Sequence, residues 1–214
     1  MEITWFGHSC FLFKDRSGKK LLTDPFDTSV GYSVPNETVD IVTVSHQHFD
    51  HNYVEALPGI PAVIDKTGSF CVNDISIKGI QSYHDKYKGA KRGNNIIFVI
   101  NMDGLTVCHM GDIGHMPAPE DFQEIGDIDV LFIPVGGNYT IDGEEAAKVS
   151  RQINSHIVIP MHYRTSALSL PLEGTEKFIM KMGNSEKVGS STLVLEGSLE
   201  GFNKVKILDY KSQL

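Results

Sequence analysis

Four side chains able to bind a metal ion fall close together in the run Ser45-His46-Gln47-His48-Phe49-Asp50-His51. Neutral imidazole is the commonest metal-binding side chain, and carboxylates suit the same borderline divalent ions. His46 and His48 are two apart, so an extended segment projects both rings to one side. A turn after Phe49 brings Asp50 and His51 back towards the same point. The chain has nine histidines and three of them lie here, which favours a metal site over a surface loop that happens to be His-rich. A structural zinc site would instead draw on thiolates and saturate its ligands. Cys10, Cys71 and Cys108 are widely spaced and form no CxxC pair, so they read as small buried hydrophobes in a reducing compartment.

The cluster needs strands to carry it. Asp40-Ile41-Val42-Thr43-Val44-Ser45 is a β-branched run that delivers the chain to His46. Further strands are expected at 3–6, 10–14, 20–23, 62–65, 75–81, 95–100, 105–109, 130–135 and 157–160. Helices are expected over 119–125, from the capping box Asp142-Gly143-Glu144-Glu145 to about 153, and over 173–182 before Gly183-Asn184. Strands dominate the first hundred residues, strand–helix units follow, and the C-terminus is again β-rich. That order predicts an α/β sandwich of packed sheets with helices on the outer faces.

Composition bounds the function. The 214 residues, 41% of them apolar, suit a single domain over 1–214. Acidic residues outnumber basic ones by 27 to 19, a formal charge of −8, which disfavours a nucleic-acid partner. No apolar run approaches the ~20 residues of a membrane helix. Met1–Trp5 shows no basic region followed by an apolar stretch. A soluble cytoplasmic protein is expected.

His46-x-His48-x-Asp50-His51 matches the HxHxDH motif of the metallo-β-lactamase-fold hydrolases, and the chain resembles that superfamily. Three further segments resemble its L-ascorbate-6-phosphate lactonase-like branch of small, stand-alone hydrolases: Thr4-Trp5-Phe6-Gly7-His8-Ser9, His109-Met110-Gly111-Asp112 and Pro160-Met161-His162-Tyr163. The likeness runs from about residue 3 to about residue 165. It implies an αβ/βα four-layer sandwich, with two mixed β-sheets face to face and helices outside. It also implies that His46, His48 and His84 hold one metal, that Asp50, His51 and His162 hold a second, and that Asp112 bridges them. Two divalent ions ~3.5–4 Å apart activate water and clamp both attacking and leaving oxygens. The implied ions are zinc, with manganese, iron or nickel also compatible with nitrogen and oxygen ligands. The implied reaction is hydrolysis of a small, anionic ester, lactone or phosphodiester. A nuclease of the same superfamily and an iron-containing redox member are the alternatives.

Several residues carry two readings. Asp50 is a ligand and a candidate acid/base group, a role that water or a histidine could fill instead. His109 rivals His84 as third ligand, but a strand residue has limited reach and suits orienting a ligand better. His8, in the first turn, is either a substrate contact or a structural turn residue. His115, near Asp112, is either a substrate contact or a surface histidine. Asp24 either accepts a ligand histidine's N–H or forms an Asx turn before Pro25. Lys86, Lys88, Lys91 and Arg92 form either an anion-binding rim beside His84 or a solvated loop, with Tyr163 and Arg164 able to extend the rim. Tyr139, after Gly136-Gly137-Asn138, is a candidate pocket residue. His156, at the far end of its strand, is expected to be structural.

Overall fold

Alternating side chains divide the N-terminal strands between two apolar layers. In the computed structural model, which describes residues 1–212, β1 (Glu2–Gly7) sends Ile3 and Trp5 to one layer and Phe6 to the other. β2 (Cys10–Lys14) does the same with Phe11 and Phe13 against Leu12. β3 (Lys20–Thr23) and β4 (Ile41–Thr43) split Leu21 and Ile41 from Leu22 and Val42. A period of two across strands buried on both faces produces this division. With β5 (Ala62–Ile64) at one edge and β13 (Thr192–Val194) at the other, they form a six-stranded sheet in the order β13-β1-β2-β3-β4-β5.

The second sheet has eight strands. β6 (Gly68–Val72), β7 (Ile75–Tyr83), β8 (Asn94–Met102) and β9 (Leu105–His109) run as antiparallel neighbours. β10 (Val130–Pro134) and β11 (Ile157–Met161) continue in parallel from β9, followed by β14 (Lys204–Ile207) and β12 (Ser185–Lys187). Parallel neighbours need crossovers. α1 (Pro119–Ile125) lies between β9 and β10, and α2 (Gly143–Ile153) between β10 and β11. Asp142 caps α2 by accepting from the amides of Glu144 and Glu145, both at 2.9 Å, and Glu145 reaches back to the Asp142 amide.

The sheets meet through aromatic side chains. Phe132 of β10 packs edge-on against Phe11 at 4.5 Å and Phe13 at 5.3 Å between ring centres. Helical cover is uneven between the two outer faces. α2 packs on β10 and on α3 (Glu176–Met182), beside the eight-stranded sheet. Over the six-stranded sheet, Phe26, Val30, Tyr32 and Leu57 are covered by single 3-10 turns at Thr28–Val30 and Val54–Ala56 and by Ala167 and Leu168. Among the described residues, no helix is long and apolar enough to cross a membrane.

Three local expectations shift. The strand expected over 40–45 ends at Thr43, because the Ser45 amide leaves the ladder and donates to the Asp24 carboxylate at 2.7 Å. The helix expected from 173 begins at Glu176, since the backbone of Glu173 is occupied in bonds to Gly136 and Arg164. Cys10 and Cys108 are buried as expected, but Cys71 is exposed on the edge strand β6, where Phe70 and Val72 on either side pack against the core and Cys71 points the other way.

Candidate metal centre

Every candidate ligand sits just past the end of a strand. The chain leaves β4 into His46, His48, Asp50 and His51, leaves β7 into His84, leaves β9 into Asp112 and leaves β11 into His162. Two groups of donors result, spanned by a third set made of His46, His51 and Asp112. His46, His48 and His84 have ligand atoms all within 4.8 Å of one another, and so do His8, Asp50, His51 and His162. Asp112 joins the groups. Its Oδ2 lies 2.9 Å from His162 Nε2 and 3.3 Å from both His51 Nε2 and His84 Nε2. His109 is not in either group. Its Nδ1 accepts from the Gly111 amide at 3.2 Å, so its Nε2–H donates to the Ser9 carbonyl at 2.9 Å. It therefore ties the turn carrying His8 to the turn carrying Asp112.

The surrounding bonds fix ring orientations. Asp24 accepts from His51 Nδ1 at 2.9 Å and from the Ser45 hydroxyl at 2.7 Å, and the same hydroxyl lies 2.9 Å from His46 Nδ1. One buried carboxylate thus orients two candidate ligands. Asn95, on β8, accepts from the Asp112 amide at 2.8 Å through Oδ1 and donates to the Met110 carbonyl at 2.9 Å. Neither Ser45 nor Asn95 stood out in the sequence, because each depends on a partner remote in the chain, Asp24 for Ser45 and the Asp112 amide for Asn95. Three residues here hold left-handed backbone, His8 at φ 51°, Asp24 at φ 40° and His162 at φ 50°. Such conformations cost about 1–3 kcal/mol each and persist where the surroundings enforce them. The His8 carbonyl accepts from the His162 amide at 3.2 Å and from Trp5 Nε1 at 3.1 Å, which provides that enforcement.

The donor set fits divalent metal ions. Buried polar atoms are normally hydrogen-bonded, yet His46 Nε2 and Asp112 Oδ1 are buried and have no hydrogen-bond partner among the described residues. Burial holds His46 well below the usual imidazole range and lowers His48 as well, which keeps both neutral, the form that binds metal. Burial together with the charge of His162 takes His8 down to about 4, so the neutral ring donates from Nε2 to Asp50 Oδ2 at 3.1 Å. Burial opposes ionisation of Asp112 and Asp50. The neighbouring His162 and His51 outweigh it for Asp112, and His51 and His8 outweigh it for Asp50, so both carboxyls stay ionised. His51 shows the converse. Burial disfavours its charge, but Asp112 and Asp50 raise it well above the ordinary value. The site demands positive charge, and metal ions would supply it.

A cleft of about 460 Å³ opens over the cluster, bounded by His48, Asp50, His84, Arg92, Tyr139 and Leu170 among others. Of the four basic residues after His84, Arg92 lines this cleft. Lys91 instead covers the Tyr87 ring at 4.0 Å and faces a neighbouring groove, and Lys86 pairs with Glu145. Tyr163 is buried against Trp5, so it adds nothing to a rim, and Arg164 is exposed outside the cleft wall. His8 lies fully buried among the candidate ligands, so its place is beneath the cleft. His115 is not in the wall: its Nε2 accepts from the Tyr83 amide at 3.3 Å and its Nδ1 faces the Met116 carbonyl at 3.0 Å. His156 stacks on Phe202 at the opposite end of β11 from His162.

Residues 2–162 match the sequence profile described as the β-lactamase superfamily domain. The chain belongs to the metallo-β-lactamase superfamily. Within it, a UPF0173 metal-dependent hydrolase of Pyrococcus furiosus is 30% identical, with 77% of this chain and 85% of the relative covered. A relative of the same designation from Methanoregula boonei is 33% identical, covering 77% and 83%. A crystal structure from Thermotoga maritima, assigned to the metallo-β-lactamase superfamily, superposes with a TM-score of 0.84 at 40% identity over 98% of this chain and 99% of that one. The Ignicoccus hospitalis metallo hydrolase Igni18 shares the fold, with a TM-score of 0.69 at 22% identity over 97% and 94%. This metallo-β-lactamase-fold chain is a metal-dependent hydrolase, and its His/Asp cluster is able to bind metal.

Proposed function

We propose that the protein is a dinuclear hydrolase of a small, anionic ester, lactone or phosphodiester. The observation that carries this reading is the position of Asp112, whose Oδ2 lies within 3.3 Å of histidines from both donor groups. One carboxylate reaching both groups suits a pair of adjacent ions better than a single one. His46, His48 and His84 would hold the first ion, and Asp50, His51 and His162 the second. Bound divalent ions supply Lewis acidity and bring the pKa of water close to neutrality. Zinc is the first choice, supported by the description of the Thermotoga maritima protein as a candidate zinc-dependent hydrolase.

The chain's own residues do the rest. Asp24 and Ser45 orient His51 and His46. His8 holds Asp50 Oδ2, leaving the rest of that carboxylate free to bind an ion and to accept the proton that water gives up on attack. The cleft size suits a small molecule. The net charge of −8 argues for that class over a nucleic acid.

Elemental analysis of purified protein, followed by chelation and metal restoration against lactone, ester and phosphodiester panels, tests the reading. Close to two ions per chain, with hydrolysis lost on chelation and in His48→Ala, is the expected result. A metal-replete protein inert across all three panels would overturn it.

A further inference from the structure

We infer that the Arg92 guanidinium is the anchor for a carboxylate or phosphate group on the substrate, and that Asp85 is the residue that positions it. The inference rests on the hydrolase reading above for the bond that is cut, but not for the anion that is held. Arg92 forms no ion pair with any carboxylate among the described residues, although the formal charge of the chain is −8. Its fork is nevertheless fixed. Nη1 donates to the Asn138 carbonyl at 2.8 Å, and the guanidinium lies over the Tyr139 ring at 4.9 Å. A half-buried guanidinium, immobilised by neutral groups and facing a cleft, keeps its charge and its remaining N–H donors for an oxyanion.

The loop is built to place it. Both oxygens of the buried Asp85 carboxylate are spent on backbone amides. Oδ1 accepts from Tyr87 at 2.7 Å and Gly89 at 3.1 Å, and Oδ2 accepts from Lys91 at 2.9 Å and Arg92 at 2.7 Å. The loop is closed further by the Gly93 amide donating to Gly89 at 2.9 Å and the His84 amide to Gly93 at 3.1 Å. A solvated basic loop needs no such clamp. The residue after His84 thus fixes Arg92 relative to the metal centre, at the point where the cleft over the cluster meets flanking grooves of about 530 and 700 Å³. Phe49 and Leu170 add apolar side chains to the lining of the same cleft. The substrate class that fits is an acyl ester or lactone with an apolar body and one terminal oxyanion.

Two esters of equal chain length distinguish the possibilities: p-nitrophenyl hexanoate, which is neutral, and the p-nitrophenyl half-ester of adipic acid, which ends in a carboxylate. Zinc-loaded protein is expected to prefer the half-ester by about tenfold or more in kcat/KM, with most of the difference in KM. That preference falls by at least about tenfold in Arg92→Ala, and Arg92→Lys retains part of it, because a point charge cannot reproduce the fork. An unchanged preference in both variants, or none in the parent protein, overturns the inference. If neither ester is cleaved, the ester part of the hydrolase reading fails and the anion site is read separately. Inorganic phosphate titrated into metal-free protein should then shift the Arg92 side-chain N–H signal in 15N NMR. Shifts confined to other cations would overturn it there too.

Discussion

Oδ2 of Asp112 lies 2.9 Å from Nε2 of His162, two residues that leave parallel strands separated by β10. The same oxygen touches His84 and His51, so removing it affects both donor groups. On the proposed dinuclear reading, Asp112→Ala should lower the bound metal per chain and reduce hydrolysis by roughly a hundredfold or more. Plasma emission analysis beside a rate assay checks this. Full metal content with full rate would show that Asp112 does not bridge.

Asp24 acts at one remove, through His51 and Ser45. Asp24→Asn keeps the shape and loses the charge. Metal affinity, measured by competition with a coloured chelator, should fall about 10–100-fold while the circular dichroism spectrum is retained. Loss of all folded signal would make Asp24 a fold determinant and remove it from the tuning role.

Gly111 is held at φ 56°, and a Cβ there would stand 2.3 Å from Asn95 Oδ1 and 2.7 Å from Ser45 Cβ. Gly111→Ala must displace the residues that orient Asp112 and His46. We expect about 2–4 kcal/mol of lost stability in urea unfolding, together with weaker metal binding. A variant as stable as the parent would mean that this turn can relax freely.

Asn95→Ala removes the acceptor for the Asp112 amide and the donor to Met110 in a fully buried place. Leaving those groups unpaired costs about 2–3 kcal/mol. Urea melts with and without zinc separate a general loss from one confined to the metal-bound form.

Glu37 lies between Lys20 at 2.9 Å and Lys211 at 3.2 Å, away from the metal centre. Burial opposes its ionisation, but bonds to Lys20 and Lys211 outweigh that and hold its carboxyl below the ordinary range. A depressed folded pKa contributes stability above the unfolded value, and the contribution is lost as pH falls through the folded one. Glu37→Gln should therefore cost up to about 1 kcal/mol near neutrality and progressively less as pH falls below the ordinary carboxylate range. Equal penalties across that range would contradict the ion-pair origin.

The capping box at Asp142 and the strand over 3–6 were legible because they are local. Each depends on residues within one turn or one strand. The outer cover of the six-stranded sheet was not, since 3-10 turns carry almost no periodic signal. Asn95 carries no local signal for a related reason: it serves a backbone amide that lies far along the chain.

By itself the sequence determined the types and the order of the donors, because metal chemistry restricts ligands to few side chains and the HxHxDH spacing is short-range. It favoured His84 over His109 without placing either, and left open which cation of the basic loop lines the cleft. Tertiary structure decided both points. Pairing of β9 between β8 and β10 directs His109 to Ser9, while the end of β7 releases His84 to Asp112. The Asp85 clamp turns Arg92 towards the metal cleft and leaves Lys91 over Tyr87. Ladder register and a buried carboxylate act over distances that residue spacing cannot encode.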